Sequence, residues 1–395
     1  MYYEREISEN LIRLFNQYPV LTLTGPRQSG KTTLCKNLFP YLDYVSFEDI
    51  ENRQLATDDP REFLSRYSNG AILDEVQRSP DIISYIQTFV DEKKKNGLFI
   101  LTGSRQFELM DAINQSLAGR TAIARLLPLS YSEIYKKGES PALEDALFKG
   151  FYPRLFKESL NPTEMYSFYA NTYLERDVRK IINVQDLKTF ETFLTLCAGR
   201  NAQVINYASL GSDCGIDQKT VKKWLSILEA SYVIKTIKPY YKNLNKRIIK
   251  SPKMYFYDSG LVCYLLGINN SRQLVNHPLV GAIFESYVFS EIWKIYENSI
   301  LKDNTYYFRD NRGREVDGIF DKVVSIALLE VKKSKTINDS FFKVFNYIKG
   351  LSMPVYNSCL IYGGDETLKS NDSWIVSWRD IKKVLLLNEN QDSYN

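Results

Sequence analysis

The sequence predicts an α/β protein built from more than one domain. At 395 residues the chain is too long for one ordinary domain. Up to about residue 127, short apolar runs typical of strands alternate with helical stretches, which favours a parallel sheet wrapped by helices. The pattern is then mostly helical to about residue 200. Near residue 232, short strand-like runs and a dense basic segment follow.

Composition excludes several kinds of chemistry. The net charge of +4 is too small to indicate a nucleic-acid binder by itself, so any basic surface must be local. The five cysteines form no C-x-x-C pair, so neither a zinc site nor a disulfide framework is indicated. His277 is the only histidine, which excludes catalytic triads and His-ligated zinc. Because no run approaches the length of a membrane span and the first residues lack a signal-peptide core, we expect a cytoplasmic protein without a membrane partner.

The stretch "LTLTGPRQSGKTTLCKNLF" predicts a phosphate-binding loop. Gly25, Gly30, Lys31 and Thr32 follow the G-x-x-x-x-G-K-[ST] spacing, between a predicted strand at 20–24 and a predicted helix. Glycines let successive N–H groups face a phosphate, the lysine reaches the β- and γ-phosphates, and the threonine hydroxyl ligates Mg²⁺. We therefore expect ATP and Mg²⁺ as cofactors. The residues predicted to contact the nucleotide are Gly25, Pro26, Arg27, Gln28, Ser29, Gly30, Lys31, Thr32 and Thr33.

Two further strands of the predicted sheet end in polar residues. In "AILDEVQ", Asp74 is placed to help Thr32 hold Mg²⁺, and Glu75 to orient or deprotonate the attacking water. In "FILTGS", Ser104 ends the next strand and is expected to reach the γ-phosphate or the water, since parallel strands deliver their carboxyl ends to one crevice. The structural alternatives are that Asp74 and Glu75 are acids at a solvent-exposed strand end and that Ser104 is a helix N-cap.

The segments "LTGPRQSGKTTL", "ILDEVQRSPD", "LTGSRQFELM", "SLAGRTAIARLLPLSYSEI" and "YLERDVRKI" resemble a bacterial and archaeal family of AAA-type P-loop ATPases with a C-terminal domain of uncharacterised function. The resemblance implies a P-loop NTPase sheet with a helical lid, ATPase activity and a homo-oligomer. It also implies that Arg120, just before the fifth strand, enters a neighbouring subunit's nucleotide site. Arg105 and Arg125 are competing candidates, and "KGFYPRLF" departs from the turn expected in this family.

The middle of the chain resembles a winged helix-turn-helix. A predicted helix at 206–212 and a turn around Gly215 precede a second helix that Asp217 caps. The exposed face of this second helix is predicted to carry Gln218, Lys219, Lys222 and Lys223. The segment from 235 to 253 then holds seven basic residues interleaved with tyrosines and no acid, which suits DNA phosphates and bases. A protein-binding module with a solvated hairpin is the alternative.

The third region, "GREVDGIFDKVVSIALLEVKKSK", resembles the PD-(D/E)XK nuclease fold. Glu330 and Lys332 share one face of a predicted strand. With a two-residue turn, Asp317 lies diagonally from Glu330, roughly 7–8 Å away, where the two acids can share a metal ion. Glu285 on the preceding helix could complete the cluster. A three-residue turn would instead put the acids on opposite faces.

These observations predict four parts: an AAA-type ATP-binding domain at 1–130, a helical lid at 131–187, a winged helix at 188–258 and a nuclease-like α/β domain at 259–395. We expect a Mg²⁺-dependent ATPase that couples ATP binding and hydrolysis to DNA binding or remodelling. A nucleotide-gated switch that binds a protein and an ATP-regulated, metal-dependent nuclease remain as alternatives.

Overall fold

The N-terminal part of the chain is a five-stranded parallel sheet, as the sequence predicts. The computed structural model describes residues 2–103, 109–110, 113, 115–135, 140–174, 187–240, 251–310, 312–322, 324–351, 353–370 and 373–387. The strands lie in the order β2-β3-β4-β1-β5, and every pairing between them is parallel. They are β1 (Val20–Thr24), β2 (Asp43–Ser46), β3 (Ala71–Asp74), β4 (Phe99–Thr102) and β5 (Thr121–Arg125).

Helices cover both faces of this sheet, because successive strand residues point to opposite sides. Ile72 joins the apolar cluster on one face and Leu73 the cluster on the other. Strands β1, β3 and β4 are buried along their whole length, which explains why β3 and β4 are apolar up to their last residue. The helices of this part are α1 (Ser8–Gln17), α2 (Lys31–Leu38), α3 (Ile50–Asp58), α4 (Pro60–Arg66) and α5 (Ile82–Lys93).

The middle part is mostly helical and ends in a small antiparallel sheet. Its helices are α6 (Tyr131–Ile134), α7 (Leu143–Lys149), α8 (Pro153–Lys157), α9 (Pro162–Tyr169), α10 (Leu187–Gly199), α11 (Tyr207–Cys214) and α12 (Gln218–Ala230). One π-helical turn, Ala170–Leu174, follows α9. The sheet has the order β6-β8-β7, with β6 (Gln203–Val204), β7 (Ile234–Ile237) and β8 (Lys253–Phe256).

The C-terminal part is a six-stranded mixed sheet in the order β13-β14-β12-β11-β10-β9. The pairs β11–β12 and β12–β14 are parallel and the other pairs antiparallel. Its strands are β9 (Thr305–Arg309), β10 (Glu315–Asp321), β11 (Ile326–Lys332), β12 (Val355–Tyr362), β13 (Leu368–Ser370) and β14 (Ser373–Ser377). The helices are α13 (Ser259–Leu265), α14 (Val280–Asn298) and α15 (Lys343–Lys349), and short 3₁₀ turns occupy Val76–Arg78, Ser271–Leu274, Asp339–Phe342 and Ile381–Leu387.

The connection between β10 and β11 is longer than predicted. Asp321 pairs with Ile326, which leaves four residues between the paired ends of the strands, so the prediction of a two-residue turn is wrong. Both turn lengths are even, so Asp317 and Glu330 keep a common face. Continuing the observed register from the Gly318–Leu329 pair places Asp317 directly opposite Glu330 rather than diagonal to it.

Helix α14 lies in the interior and contacts every part of the chain. Most of its residues are buried, including the charged pair Glu291 and Lys294. Its Glu297 binds Arg125 at the end of β5, and its Tyr287 hydroxyl donates to the Trp378 carbonyl of the C-terminal part. No helix of the described residues, α14 included, has the length and apolar character needed to cross a lipid bilayer.

Removal of the Lys294 ammonium should destabilise the protein strongly. Its Nζ lies 2.7 Å from Glu291 Oε1, and both side chains are almost fully buried. Lys294→Met leaves the Glu291 carboxylate buried without its partner, so we expect the free energy of unfolding to fall by about 3–5 kcal/mol. Urea unfolding followed by tryptophan fluorescence measures the change.

Lys382→Met is the matched control, because Lys382 forms an exposed pair with Glu6 at 3.1 Å. We expect this variant to stay within about 1 kcal/mol of the wild type. Equal stability of the two variants would contradict a dominant role for the buried pair.

Candidate functional site

The loop between β1 and α2 has a backbone that only glycine accommodates at two positions. Gly25 has φ +142°, and a Cβ there would lie 2.2 Å from the Leu126 carbonyl oxygen. Gly30 has φ +94° and caps the N-terminus of α2 in the left-handed region. The loop therefore lies against the end of β5 and directs the N-terminus of α2 toward its own concave side.

Lys31 is buried within this loop. Its Nζ donates to the Gly25 carbonyl at 2.9 Å and to the Pro26 carbonyl at 2.8 Å. Burial lowers the pKa of the Lys31 ammonium to about 8, against the opposing charges of Glu75 and Asp74. Because both of its partners are neutral carbonyls, an anion that enters the loop would offer a stronger partner.

Thr32 and Asp74 meet as predicted. The Thr32 hydroxyl donates to Asp74 Oδ2 at 2.8 Å, and the Tyr44 hydroxyl donates to the same oxygen at 2.8 Å. The Thr102 hydroxyl donates to Asp74 Oδ1. A hydroxyl and a carboxylate side by side at the mouth of a phosphate loop are the oxygen ligands that Mg²⁺ takes, so the residues fit this ion.

Glu75 begins the turn after β3 with an unusual backbone. Its φ of +55° and ψ of +41° are left-handed, which is costly for a residue with a side chain and frequent at functional sites. The Gln77 amide donates to Glu75 Oε2. Gln77 itself is buried against Gly103, where a Cβ would lie 2.4 Å from Gln77 Oε1. Gln77 therefore positions the predicted water-orienting carboxylate, a role that the sequence analysis missed although it stands in the same motif.

Arg5 supports the loop from behind, and sequence reasoning missed it entirely. Its guanidinium donates to the Ser29 carbonyl at 2.9 Å and to the Leu127 carbonyl at 2.6 Å. It also forms a buried ion pair with Glu133 at 3.1 Å. No local pattern marks this arginine, because its partners lie more than a hundred residues away except for Ser29. Ser29 Oγ itself is buried and has no hydrogen-bond partner among the described residues.

A cavity of about 340 Å³ opens beside the loop. Tyr2 and Tyr3 of the N-terminal segment line it together with Thr33 and Asn37 of α2 and Pro153. Its size and partly apolar lining are those of a small-molecule pocket. The cavity is continuous with the residues predicted to bind phosphates, since Ser29 and Gly30 also line it.

Two predicted site residues remain. Ser104 lies outside the described residues, as does Arg105. Arg120 precedes β5 at the opposite end of the sheet, since its carbonyl accepts from Val20, the first residue of β1. Thr24 lies about 13 Å further along β1 at a rise of roughly 3.3 Å per residue. Within its own chain Arg120 binds Asp91 through two 2.7 Å hydrogen bonds, which lower the pKa of that carboxyl.

A second candidate surface lies on α12. Asp217 caps this helix by accepting from the Lys219 and Thr220 amides, as predicted. Val221, Trp224, Leu225, Ile227 and Leu228 are buried. Gln218, Lys219, Lys222 and Lys223 are exposed.

The predicted basic segment is only partly available to DNA. Lys253 is buried among carboxylates, and Lys235 lies 2.5 Å from Asp303, so the expectation is wrong for these two residues. Lys238 is exposed. The remaining four basic residues, Lys242, Lys246, Arg247 and Lys250, lie outside the described residues.

The predicted acidic group of the C-terminal part does assemble. Asp317 on β10 and Glu330 on β11 share a face, and the Lys332 ammonium binds Glu330 and lies 3.8 Å from Asp317 Oδ2. Glu285 projects into the group from α14. Burial, reinforced by the charge of Asp317, raises the pKa of both Glu285 and Glu330.

Lys253 stands inside this acidic group, which sequence reasoning did not predict. Its Nζ lies 2.7 Å from Glu285 Oε1, 2.6 Å from Glu315 Oε1 and 3.7 Å from Asp317 Oδ1. Among the described residues, no set of three or more acidic, histidine or cysteine side chains is arranged to hold a metal ion. We call these residues, Lys253, Glu285, Glu315, Asp317, Glu330 and Lys332, the carboxylate cluster.

Three family models match successive parts of the chain. Residues 17–135 match an AAA domain, residues 140–272 a domain of unknown function (DUF8612), and residues 280–381 a second domain of unknown function (DUF4143). The AAA match contains the phosphate loop, Asp74 and Glu75.

Relatives of this chain are found in mycobacteria. Two uncharacterized proteins, one from Mycobacterium bovis and one from Mycobacterium tuberculosis, are each 31% identical to this chain over 316 residues. The alignments span 79% of this chain and 70% of each relative.

The solved structures that align with this chain are more distant in sequence. A Walker-type ATPase of Pyrococcus abyssi aligns with 67% of this chain and 96% of its own, at 14% identity and a TM-score of 0.46. The AMPPCP-bound DnaA of Aquifex aeolicus aligns with 56% of this chain and 85% of its own, at 13% identity and a TM-score of 0.30.

Gly25→Ala should abolish the phosphate-loop conformation. The added Cβ would meet the Leu126 carbonyl at 2.2 Å, and the φ of +142° is unfavourable for alanine. We expect nucleotide affinity to fall at least about tenfold, the equivalent of 1.4 kcal/mol. Titration with a fluorescent ATP analogue measures it.

The control is Gly215→Ala, another glycine with a positive φ (+67°), in the left-handed region and with nothing within 4 Å of the new Cβ. This variant should bind nucleotide like the wild type. Unchanged affinity in a folded Gly25→Ala protein would show that the loop is not the nucleotide site.

Proposed function

The chain belongs to the same family as the uncharacterized mycobacterial proteins and carries an AAA-type ATPase domain; from this premise we propose that it is a Mg²⁺-dependent ATPase that couples ATP binding and hydrolysis to the binding of DNA. We divide it into the ATPase domain at 1–130, a helical lid at 131–187, a winged helix at 188–258 and a C-terminal domain at 259–395. The phosphate loop, with Lys31 inside it and Thr32 on Asp74, is the observation that carries the proposal.

The proposed roles follow from the chemistry of each group. The loop amides and Lys31 would bind the β- and γ-phosphates of ATP. Thr32 and Asp74 would hold Mg²⁺, whose charge opposes that of the phosphate oxygens. Glu75, held by Gln77, would orient the attacking water.

The cavity beside the loop suits the remainder of the nucleotide. It is lined by the Tyr2 and Tyr3 side chains and by Pro153, whose apolar faces can pack against a purine. Asn37 supplies amide donors and acceptors at the same place. We assign this cavity to the base and ribose, because it adjoins Ser29 and Gly30 on the phosphate side.

Arg120 fits a role in a neighbouring subunit and not in its own. It lies at the end of the sheet opposite the phosphate loop, and its side chain is about one third exposed. Contact with the nucleotide site of a second copy would stabilise charge that develops only in the transition state. We therefore propose a homo-oligomer. In the free subunit the ion pair with Asp91 holds Arg120 at the surface, and Arg120 reaches the neighbouring site when subunits associate.

DNA is the proposed partner of the middle part. Strand β6, helices α11 and α12 and then strands β7 and β8 have the order of elements of a winged helix, and α12 presents Lys219, Lys222 and Lys223 to solvent. A recognition helix in this position would direct its amide and ammonium groups into the major groove. A nucleotide-gated protein-binding switch is the rival, since the same surface can bind an acidic protein.

Arg120→Ala and Asp91→Ala distinguish a trans-acting arginine from a structural ion pair. Both variants remove the same two hydrogen bonds between Arg120 and Asp91. If Arg120 acts in a neighbouring site, Arg120→Ala should bind ATP normally and hydrolyse it about 10³-fold more slowly, whereas Asp91→Ala should hydrolyse it like the wild type. ATP turnover per subunit, measured from dilute to concentrated protein, should rise with concentration for the wild type.

Glu75→Gln is the reference for a site that binds ATP without turning it over. Equal activity of the Arg120 and Asp91 variants, or a rate per subunit that does not depend on concentration, would show that the site is complete within one chain.

Lys222→Gln/Lys223→Gln should weaken DNA binding and its dependence on salt. Removal of two phosphate contacts should reduce the slope of log K against log[salt] by about 2. Fluorescence anisotropy with a labelled duplex at several NaCl concentrations measures the slope, and ATP turnover with and without the duplex measures the coupling.

The charge-matched control is Lys94→Gln/Lys95→Gln, two exposed lysines at the end of α5. The slope of this variant should equal that of the wild type. A wild type that binds no DNA at low salt, and whose turnover DNA leaves unchanged, would favour the protein-binding switch.

A further inference from the structure

The carboxylate cluster differs from a metal site in what occupies its centre. Glu285 comes from α14, Glu315 and Asp317 from β10, and Glu330 from β11. The Lys253 ammonium comes from β8, a strand of the middle part, and lies 2.7 Å from Glu285 and 2.6 Å from Glu315. One cation therefore bridges acidic side chains from two different elements of the C-terminal part.

Both oxygens of Asp317 face ammonium groups. Oδ1 lies 3.7 Å from Lys253 Nζ, and Oδ2 lies 3.8 Å from Lys332 Nζ while accepting the Val331 amide at 2.9 Å. A divalent ion bound to Asp317 and Glu330 would stand a few ångströms from two positive charges in a buried site, where their repulsion is strong. The residues present therefore do not fit a metal ion while Lys253 is in place.

The surroundings hold Lys253 in this position. The Lys253 side chain is 3% exposed, and the Tyr255 hydroxyl, two residues along β8, donates to the same Glu285 oxygen at 2.6 Å. The backbone of β8 is paired on both sides, with Ile237 of β7 and Val204 of β6 next to Lys253. Removal of the ammonium would leave the largely buried Glu285 carboxylate without the cation that it binds, which is the costly state for such a group.

One oxygen in the cluster is unused. Glu330 Oε2 is buried and has no hydrogen-bond partner among the described residues. A buried carboxylate oxygen without a hydrogen-bond partner is rare in a packed interior. This oxygen can therefore serve as a ligand for a cation that enters the cluster. Replacement of Lys253 by methionine, whose side chain is one atom shorter, would vacate the ammonium position between Glu285, Glu315 and Asp317.

We propose that the Lys253 ammonium takes the place of a divalent metal ion in the carboxylate cluster. The C-terminal site of the wild-type protein therefore binds no metal ion. Its ion pairs instead hold β8 against the C-terminal sheet. Lys253 acts as a resident cation, and the site becomes available to a metal ion only when that cation is removed.

Mn²⁺ binding to the full-length chain, measured without nucleotide by the loss of the free-Mn²⁺ paramagnetic resonance signal, tests the proposal. Lys253→Met should bind one more Mn²⁺ per chain than the wild type, and its melting temperature should rise on addition of Mn²⁺. Glu330→Gln added to Lys253→Met should remove both effects. Lys253→Arg, which keeps the charge, and Lys235→Met, which removes a nearby lysine bound to Asp303, should bind Mn²⁺ like the wild type.

Two results would overturn the proposal. One is a folded Lys253→Met protein that gains no Mn²⁺, since Lys253 would then not stand at a metal position. The other is a wild-type Mn²⁺ site that Glu330→Gln eliminates. The comparison of Mn²⁺ binding by the wild type and by Glu330→Gln decides the question even if Lys253→Met does not fold. Mn²⁺ bound at the ATP site does not affect this comparison, because Glu330 is far from the phosphate loop in the sequence and lies in a different sheet.

Discussion

The buried helix α14 is the constraint on which the arrangement of the other parts depends. Glu285 near its beginning binds Lys253 of the middle part, Glu291 binds the Tyr131 amide, and Glu297 near its end binds Arg125 of the ATPase sheet. Glu285 and Glu297 are about 18 Å apart along a helix that rises 1.5 Å per residue. A rigid element of this length fixes the carboxylate cluster and the end of β5 relative to each other, because neither can shift without breaking an ion pair to the helix.

Two buried lysines illustrate opposite uses of the same side chain. Among the described residues, Lys31 donates to the neutral carbonyls of Gly25 and Pro26, and burial lowers the pKa of its ammonium to about 8. Lys253 is bound by carboxylates, whose charges raise the pKa of its ammonium despite burial. A lysine with weak neutral partners can exchange them for an incoming polyphosphate, whereas a lysine enclosed by acids is held in place. The partners, and not the residue type, separate a ligand-binding lysine from a structural one.

Local sequence spacing is sufficient for the part of the candidate site that lies on one motif. Thr32 and Asp74 meet because a phosphate loop and the next strand but one must end at the same edge of a parallel sheet. Arg5 and Lys253 could not be found in this way, since their partners Glu133 and Glu285 lie in distant segments that carry no common pattern. The lysine at 253 looked like part of a solvated basic run because neighbours in the sequence do not reveal which of them turns inward.

The sequence by itself determined the parallel sheet, the phosphate loop and the two helices around Gly215, because these depend on hydrophobic period, glycine and capping residues within a few positions. Only the tertiary structure decided the register of β10 against β11, since a turn of two or four residues satisfies the same apolar pattern. It alone also placed Arg120 on Asp91 and Lys253 among the acids of the C-terminal sheet. Pairings between charges far apart in the chain depend on how whole elements pack, and the order of residues does not encode that packing locally.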